Sequence, residues 1–336
     1  MTEPLISVIL LSYHSRKKEF FATLNSIIAQ KDCSYELIIA DDGSPDFFQS
    51  EIEAFLDSRR ILNYQILCAE KNRGTVCNLL RAVQAAKGKY IKPISPADYL
   101  YDAYTLRDLG AFMEKKQAKA AFGSMVFYHN EGIFQTFRIR FPFRHQIYQA
   151  DRNRYSFRRA LKMQFVLGDT LCGAAAIYDR ELFRQSLEML TPSVVYAEDL
   201  VFQLLAAQNI RIYHMDRKIL WYEYGSGIST QTPSNTFSRL DTDFYEFYQL
   251  IHRQYPQILY LKRVLRVWEI KKHGSRLLKF TTKLFPDKIL FSLYRRFLLR
   301  TINPHGYDDQ FFRECLHAVP AELTERKIPA DAGMDT

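Results

Sequence analysis

No pair of cysteines in this chain has the spacing of a zinc site or a redox motif. The five present (Cys33, Cys68, Cys77, Cys172 and Cys315) are odd in number and widely spaced, with no C-x-x-C, so neither a zinc site nor a disulfide framework is indicated. They read as reduced, mostly core thiols of a cytosolic protein. No G-x-G-x-x-G follows the first apolar run, which disfavours a dinucleotide site of that type. The N-terminal stretch MTEPLISVILLSYHSRKKEF has no basic leader and no small-residue cleavage site, so it does not read as a signal peptide, and LISVILL is too short to span a bilayer. There is no internal repeat, no low-complexity tract and no RNA-binding motif, so nucleic acid is not an expected partner. Acids are scarce in one region. Residues 251–300 carry 13 Lys and Arg against two Asp and Glu, and they hold more than the whole chain's net charge of +9.

At 336 residues, 47% hydrophobic and 14% aromatic, the chain is long and apolar enough to bury a sizeable core. Short β-rich runs alternate with helical periods from the start, which predicts an α/β domain with a parallel sheet. The expected strands are LISVILLSY (5–13), YELIIAD (35–41), NYQILCA (63–69) and KYIKPI (89–94). Helical stripes lie between them at 16–30 (Phe20, Leu24, Ile27, Ile28) and 74–88 (Val76, Leu79, Leu80, Val83). Three β-α units before residue 95 predict a Rossmann-like half. After residue 118 the runs become longer and more aromatic, with a hairpin expected around 130–132, strand then helix over 171–190, and a loop entering a helix over 195–209. From about residue 236 the period is helical throughout.

In an open α/β sheet, ligands bind beyond the carboxyl ends of the strands. The residues that follow these strands are Ser12 and Tyr13, then Asp41, Asp42, Gly43 and Ser44, then 70–74, then 95–98. Taken alone, DDGS reads equally well as a turn in which Asp and Ser satisfy free amides before a helix over 47–58.

The combination SVILLSYHSRKKEFFATLNSIIAQ, YELIIADDGSPD, NRGTVCNLLRAVQAAKGKYIKPISPADYL and YAEDLVF resembles family 2 glycosyltransferases, over roughly residues 5 to 230. That resemblance implies a GT-A fold: a Rossmann-like nucleotide-binding half (1–118), an acceptor and catalytic half (119–235), a mixed central sheet, then a basic helical C-terminal region (236–325) and a frayed tail (326–336). It implies an inverting enzyme moving a sugar from a nucleotide-diphosphate donor, with a lean toward UDP, to a glycan or lipid-linked acceptor, as in bacterial surface polysaccharide synthesis.

Residue by residue, the resemblance assigns Asp42, with Asp41 beside it, to the nucleotide base, and Ser12 and Tyr13 to the lip over it. Asn72 and Gly74 match the N-x-G turn near the nucleotide, with Arg73 between them. Glu198 and Asp199 match the family's acidic pair, whose aspartate is the base that deprotonates the acceptor hydroxyl. Their alternative reading is a plain cap for the helix that follows. Asp98 matches the last acid of the family's L-D-S-D-D motif, where acids bind ribose and the metal, so Mg2+ or Mn2+ weakly held by Asp98 is the expected cofactor. The earlier acids are replaced by Ser95 and Ala97. Asp98 therefore stands alone, or caps a helix over 102–116. This depletion keeps a second reading open: a nucleotide-sugar-binding protein of the same fold that has lost transfer.

The family often places a histidine or arginine after the last strand, where this chain has WYEYGSGIST. Gly225, Ser226 and Ser229 are the expected diphosphate loop there, or a plain turn. The arginine- and aromatic-rich stretch 138–162 is a candidate acceptor surface, or a solvated connection. Over 258–300 the mixture of Leu, Phe, Trp and Tyr with Lys and Arg suits an anionic membrane surface, so the expected location is the inner face of the cell membrane. Packing on the catalytic domain with a basic outer face is the alternative.

Overall fold

The architecture comes from a computed structural model, which describes residues 3–129, 132–133, 142, 144–149, 156–225, 238–275, 278, 281, 286–298 and 306–323. The run ISVILLS forms β1 (Ile6–Ser12), buried along almost its whole length because both faces are covered. Its side chains alternate, with Ile6, Val8 and Leu10 entering one core layer and Ile9 the other. Next come α1 (Lys17–Ile28), β2 (Tyr35–Asp41), α2 (Gln49–Ser58), β3 (Tyr64–Cys68), α3 (Thr75–Ala85) and β4 (Tyr90–Ile94). The four strands are parallel, in the order β3-β2-β1-β4. This is the Rossmann-like half expected from the sequence.

The second half contains β5 (Tyr99–Leu100), α4 (Thr105–Lys116), β6 (Ala120–His129), β7 (Gly132–Ile133), α5 (Phe157–Leu161), β8 (Ala176–Asp179), α6 (Arg180–Leu190), α7 (Leu200–Ala207) and β9 (Ile212–Glu223). Here the sheet becomes mixed. β8 lies antiparallel to β4, β6 antiparallel to β8, β9 parallel to β6, and β5 antiparallel to β9. β7 pairs with the end of β6, as the expected hairpin requires. Most of the 138–162 stretch falls outside the described residues.

Four described helices follow: α8 (Arg239–Gln254), α9 (Tyr260–His273), α10 (Pro286–Leu298) and α11 (Gln310–His317). They are not set apart from the sheet. Phe247, Ile251, Leu261 and Val264 of α8 and α9 join the core layer that holds α3, α6 and α7. Phe312 of α11 enters the opposite layer, with its ring centroid 5.3, 5.0 and 4.7 Å from those of Tyr99, Tyr128 and Trp221. Of the two readings of 258–300, packing on the catalytic domain therefore holds for the buried side of α9, and α8 and α11 on either side of that stretch pack on the sheet as well. Helix α10 leaves Ile289, Leu290 and Leu293 exposed. Among the described residues no helix is long and apolar enough to cross a membrane.

Candidate active site

The ends of β1 and β2 are bound to each other and to the turn that opens α3. Asp42 N donates to the Ser12 carbonyl (2.9 Å), and His14 N donates to Ser44 Oγ (2.8 Å). Asp41 accepts from both Ser44 N and Ser44 Oγ at 2.7 Å, so it shapes the DDGS turn. Asp42 reaches further, accepting the Arg73 amide at 3.0 Å on one oxygen and the Gly74 amide at 2.8 Å on the other. Burial raises its pKa while those two amides oppose the shift. The carboxylate expected at the nucleotide base thus holds the N-x-G turn in place. Asn72 Oδ1 accepts the same Gly74 amide at 3.0 Å.

Gly74 is required where it stands. Its φ is +90°, and a Cβ there would overlap the side chain and carbonyl of Val195. The rim around this turn is open. Lys71, Asn72 and Arg73 are exposed, and Tyr13 is 47% exposed with its ring edge-on to His14.

Asp98 lies in the turn between β4 and β5. The preceding Ala97 is left-handed at φ +72°, its amide donating to Thr23 Oγ1 (3.0 Å) and its carbonyl accepting from the Tyr128 hydroxyl. Asp98 does not cap α4, because Asp102 takes that turn by accepting from Tyr104 N (2.9 Å) and Thr105 Oγ1 (3.1 Å). The Asp98 carboxyl is 6% exposed, accepts the Glu223 amide and has its pKa pushed up to about 8, chiefly by burial and against the pull of Lys92. Lys92 is fully buried in β4. Its Nζ donates to the carbonyls of Pro93 (2.7 Å) and Ala174 (2.6 Å), and burial brings its pKa down to about 8 while Asp98 opposes that shift.

This donor set does not fit a divalent cation held by protein ligands alone. Such an ion wants several oxygen ligands and a surplus of negative charge. Ser95 and Ala97 supply no carboxylate, and Asp98 already faces the fixed Lys92 ammonium. The one further acid beside it, Glu223 at the end of β9, has Arg16 at 3.6 Å. Among the described residues no group of three or more His, Cys, Asp or Glu side chains is placed to hold a metal. A cation at Asp98 would have that one carboxylate and would need the donor's phosphate oxygens and water to complete its ligands, in keeping with the weak binding expected.

Glu198 and Asp199 stand at the entry to α7, both partly buried. Asp199 Oδ1 accepts the Gly173 amide, and a Cβ at Gly173 would overlap that oxygen. Asp199 makes no side-chain capping bond to α7, so the plain-cap reading fails for it. Burial raises the pKa of both acids; the Gly173 amide favours ionised Asp199, and Asp199 in turn pushes Glu198 higher. Their surroundings therefore bias the pair toward charge on Asp199 and a proton on Glu198. Cys172, next to Gly173, joins the two sides of the site: burial pushes its thiol up, and the carboxylates of Asp199, Asp98 and Glu198 all act on it.

The structure thus gathers Ser12, Asp41, Asp42, Asn72, Arg73 and Gly74 at the ends of the parallel strands, and Asp98, Glu198 and Asp199 around Cys172. Gly225 is exposed at φ +109°, with nothing among the described residues within 4 Å of where a Cβ would stand, while Ser226 and Ser229 lie outside the described residues. Sequence reasoning missed Lys92, Cys172, Gly173, Glu223 and Asp243. Only Lys92 left a signal, as a lysine inside a strand that is otherwise apolar.

The profile for glycosyl transferase family 2 matches residues 7–187, more than half of the chain, and the chain belongs to that family. No curated protein matches it. Among solved structures, S. aureus TarS 1–349 in complex with UDP-GlcNAc is similar at 19% identity and a TM-score of 0.50, over 86% of this chain and 79% of that one. The mannosyltransferase PcManGT from Pyrobaculum calidifontis, in complex with GDP-Man and Mn2+, is similar at 13% identity and a TM-score of 0.50, over 88% and 84%. At such identities the likeness shows the fold alone, which is GT-A.

Proposed function

We propose that this chain moves a sugar from a UDP-sugar donor to a hydroxyl of a glycan or lipid-linked acceptor, with inversion at the anomeric carbon. The observation that carries the reading is the meeting of the acidic pair with the donor turn: Asp199 is held on the Gly173 amide, and Val195, just before the pair, packs on Gly74 and accepts the Val76 amide beside the turn that Asp42 holds. The acceptor oxygen attacks the anomeric carbon as the bond to the diphosphate oxygen breaks, and that electron pair leaves with the nucleoside diphosphate. Asp199 takes the acceptor's proton; burial has raised its pKa toward neutrality, which strengthens it as a base. Exposed Lys71 and Arg73 flank the donor turn as cationic partners for the diphosphate. No step is routed through a metal.

Asp199→Asn tests the assignment, because the amide keeps the Gly173 hydrogen bond but cannot accept a proton. Transfer should fall by about 10²- to 10⁴-fold while donor affinity by calorimetry stays unchanged. Wild-type turnover in that variant would remove Asp199 from the role. The second reading, a donor-binding protein that has lost transfer, is favoured by Ser95 and Ala97. It predicts tight donor binding with no turnover in the wild-type protein.

The C-terminal region supports a peripheral membrane location. Exposed Leu259, Tyr260, Leu278, Ile289, Leu290 and Leu293 accompany the basic surplus of 251–300. Arg263 and Lys271 of α9 lie near enough to Lys288 of α10 to add to the effect of burial in lowering its pKa. Apolar insertion beside such a basic cluster suits an anionic bilayer, at roughly 1 kcal/mol per cation near the surface.

A further inference from the structure

Asp243 is a buried acid on α8, only 3% exposed, in a part of the chain with no sequence sign of a role in the site. Its carboxylate accepts three consecutive backbone amides: Val195 N on Oδ1 at 3.0 Å, then Tyr196 N at 2.6 Å and Ala197 N at 2.9 Å on Oδ2. The next two residues are Glu198 and Asp199. From the other side, the Val195 carbonyl accepts Val76 N at 3.0 Å in the first turn of α3, and Val195 packs against Gly74, whose amide is held by Asp42. Helix α8 is itself fixed at its start by a capping box between Ser238 and Asp241, and Arg239 reaches the Tyr196 hydroxyl at 3.2 Å.

We infer that Asp243 is a positioning residue for the transfer: by clamping 195–197 it holds Asp199 on the Gly173 amide and presses Val195 onto the donor turn. The inference rests on Asp199 being the base. Three charge-assisted hydrogen bonds converging on one buried carboxylate are more than a loop needs to close. They fix the backbone at the point where a displacement of about 1 Å is costly to catalysis. The same clamp joins the two halves of the site, because the loop it holds touches the turn that Asp42 organises. Helix α8 is thereby part of the catalytic unit, although the sequence suggested a boundary near residue 235.

The test uses the full chain with Asp243→Asn. Asparagine can still accept from Tyr196 and Ala197, but its amide group faces the Val195 N–H as a second donor. We expect kcat to fall by roughly 10- to 100-fold with a folded protein. A second readout separates positioning from mere stability. Glu198 is faced by Asp199, by Cys172 and Tyr178 from the β8 side, and by Asp243 from α8. Removing the Asp243 charge makes Glu198 easier to ionise; the acid limb reports Asp199, so it is the alkaline limb of kcat against pH, where Glu198 gives up its proton, that should move to lower pH. Wild-type kcat, or a reduced kcat with an unmoved alkaline limb, overturns the proposal. Should the variant not fold, hydrogen exchange in the wild-type protein decides: amides 195–197 exchanging at open-loop rates also overturn it. Asp199→Asn is assayed alongside; full turnover there ends the base assignment itself, whatever Asp243→Asn does.

Discussion

Gly173→Ala isolates the environment of Asp199, the proposed base. Gly173 is not among the positive-φ residues, so alanine fits its backbone. The added methyl group instead meets a side chain, because it would overlap Asp199 Oδ1 and come within 3.6 Å of Glu198 Oε1. The end of a short side chain yields more readily than a buried strand. The protein should therefore fold while the Asp199 carboxylate rotates away from the Gly173 amide.

That rotation removes a hydrogen bond to a charged group, worth about 1.5–3 kcal/mol. The bond favours ionised Asp199, so its loss raises the pKa of the base by about one to two units, at about 1.4 kcal/mol per unit. Two effects follow. The acid limb of kcat moves to higher pH, and the plateau falls about 10- to 100-fold because the carboxylate no longer points where it did. Donor affinity should not change, since Gly173 makes no contact with the 72–74 turn. The assay is kcat over a pH series with saturating donor, together with calorimetric donor binding and a thermal midpoint to confirm folding. A folded variant with wild-type kcat and an unmoved acid limb would show that the Gly173 contact does not tune the base.

Two further outcomes bear on the rest of the site. Titrating the donor-free protein with Mn2+ should show no site tighter than about 1 mM, and Asp98→Ala should leave that titration unchanged, because one carboxylate facing a fixed lysine is a poor ligand set; a micromolar site lost in Asp98→Ala would refute this. Leu290→Asp with Leu293→Asp should reduce sedimentation with anionic vesicles without loss of fold, whereas unchanged sedimentation would leave α10 without a membrane role; truncation is not a substitute, since it would remove Phe312 from its place against Tyr99, Tyr128 and Trp221.

The parallel half of the fold was legible because its signals are local. Continuous apolar runs ending in Asp and Gly mark buried strands with ligand-facing ends, and β1 to β4 fall within a residue or so of where those runs lie. The acidic pair and Asp98 were legible through the spacing of the whole pattern, since each alone reads as a cap or turn. The partners that set their chemistry left no such trace. Asp243 stands 46 to 48 residues from the amides it holds, and no periodicity of α8 distinguishes it from a solvated acid. Glu223 reads as the end of an aromatic strand, and only the pairing of β5 with β9 brings it to Asp98. Likewise Asp42 was legible as important but not for what it holds, because its partners are backbone amides, which every sequence supplies.

The two carboxylates of the pair are neighbours in sequence, yet the fold gives them opposite tasks by what it places against each. Asp199 receives an amide from Gly173, which favours charge; Glu198 receives the charges of Asp199 and Asp243, which disfavour it. A single proton shared between two buried acids would otherwise leave the identity of the base undecided. Gly173→Ala and Asp243→Asn therefore act on the two sides of one balance. The first raises the pKa of the proposed base and moves the acid limb up; the second lowers the pKa of Glu198 and moves the alkaline limb down. A cap or a turn that merely held the chain would lower activity in both variants without moving either limb. An acid limb raised in one variant and an alkaline limb lowered in the other are the signature of a pair whose protonation is divided by its surroundings, with Asp243 on α8 as much a part of that division as the glycine beneath Asp199.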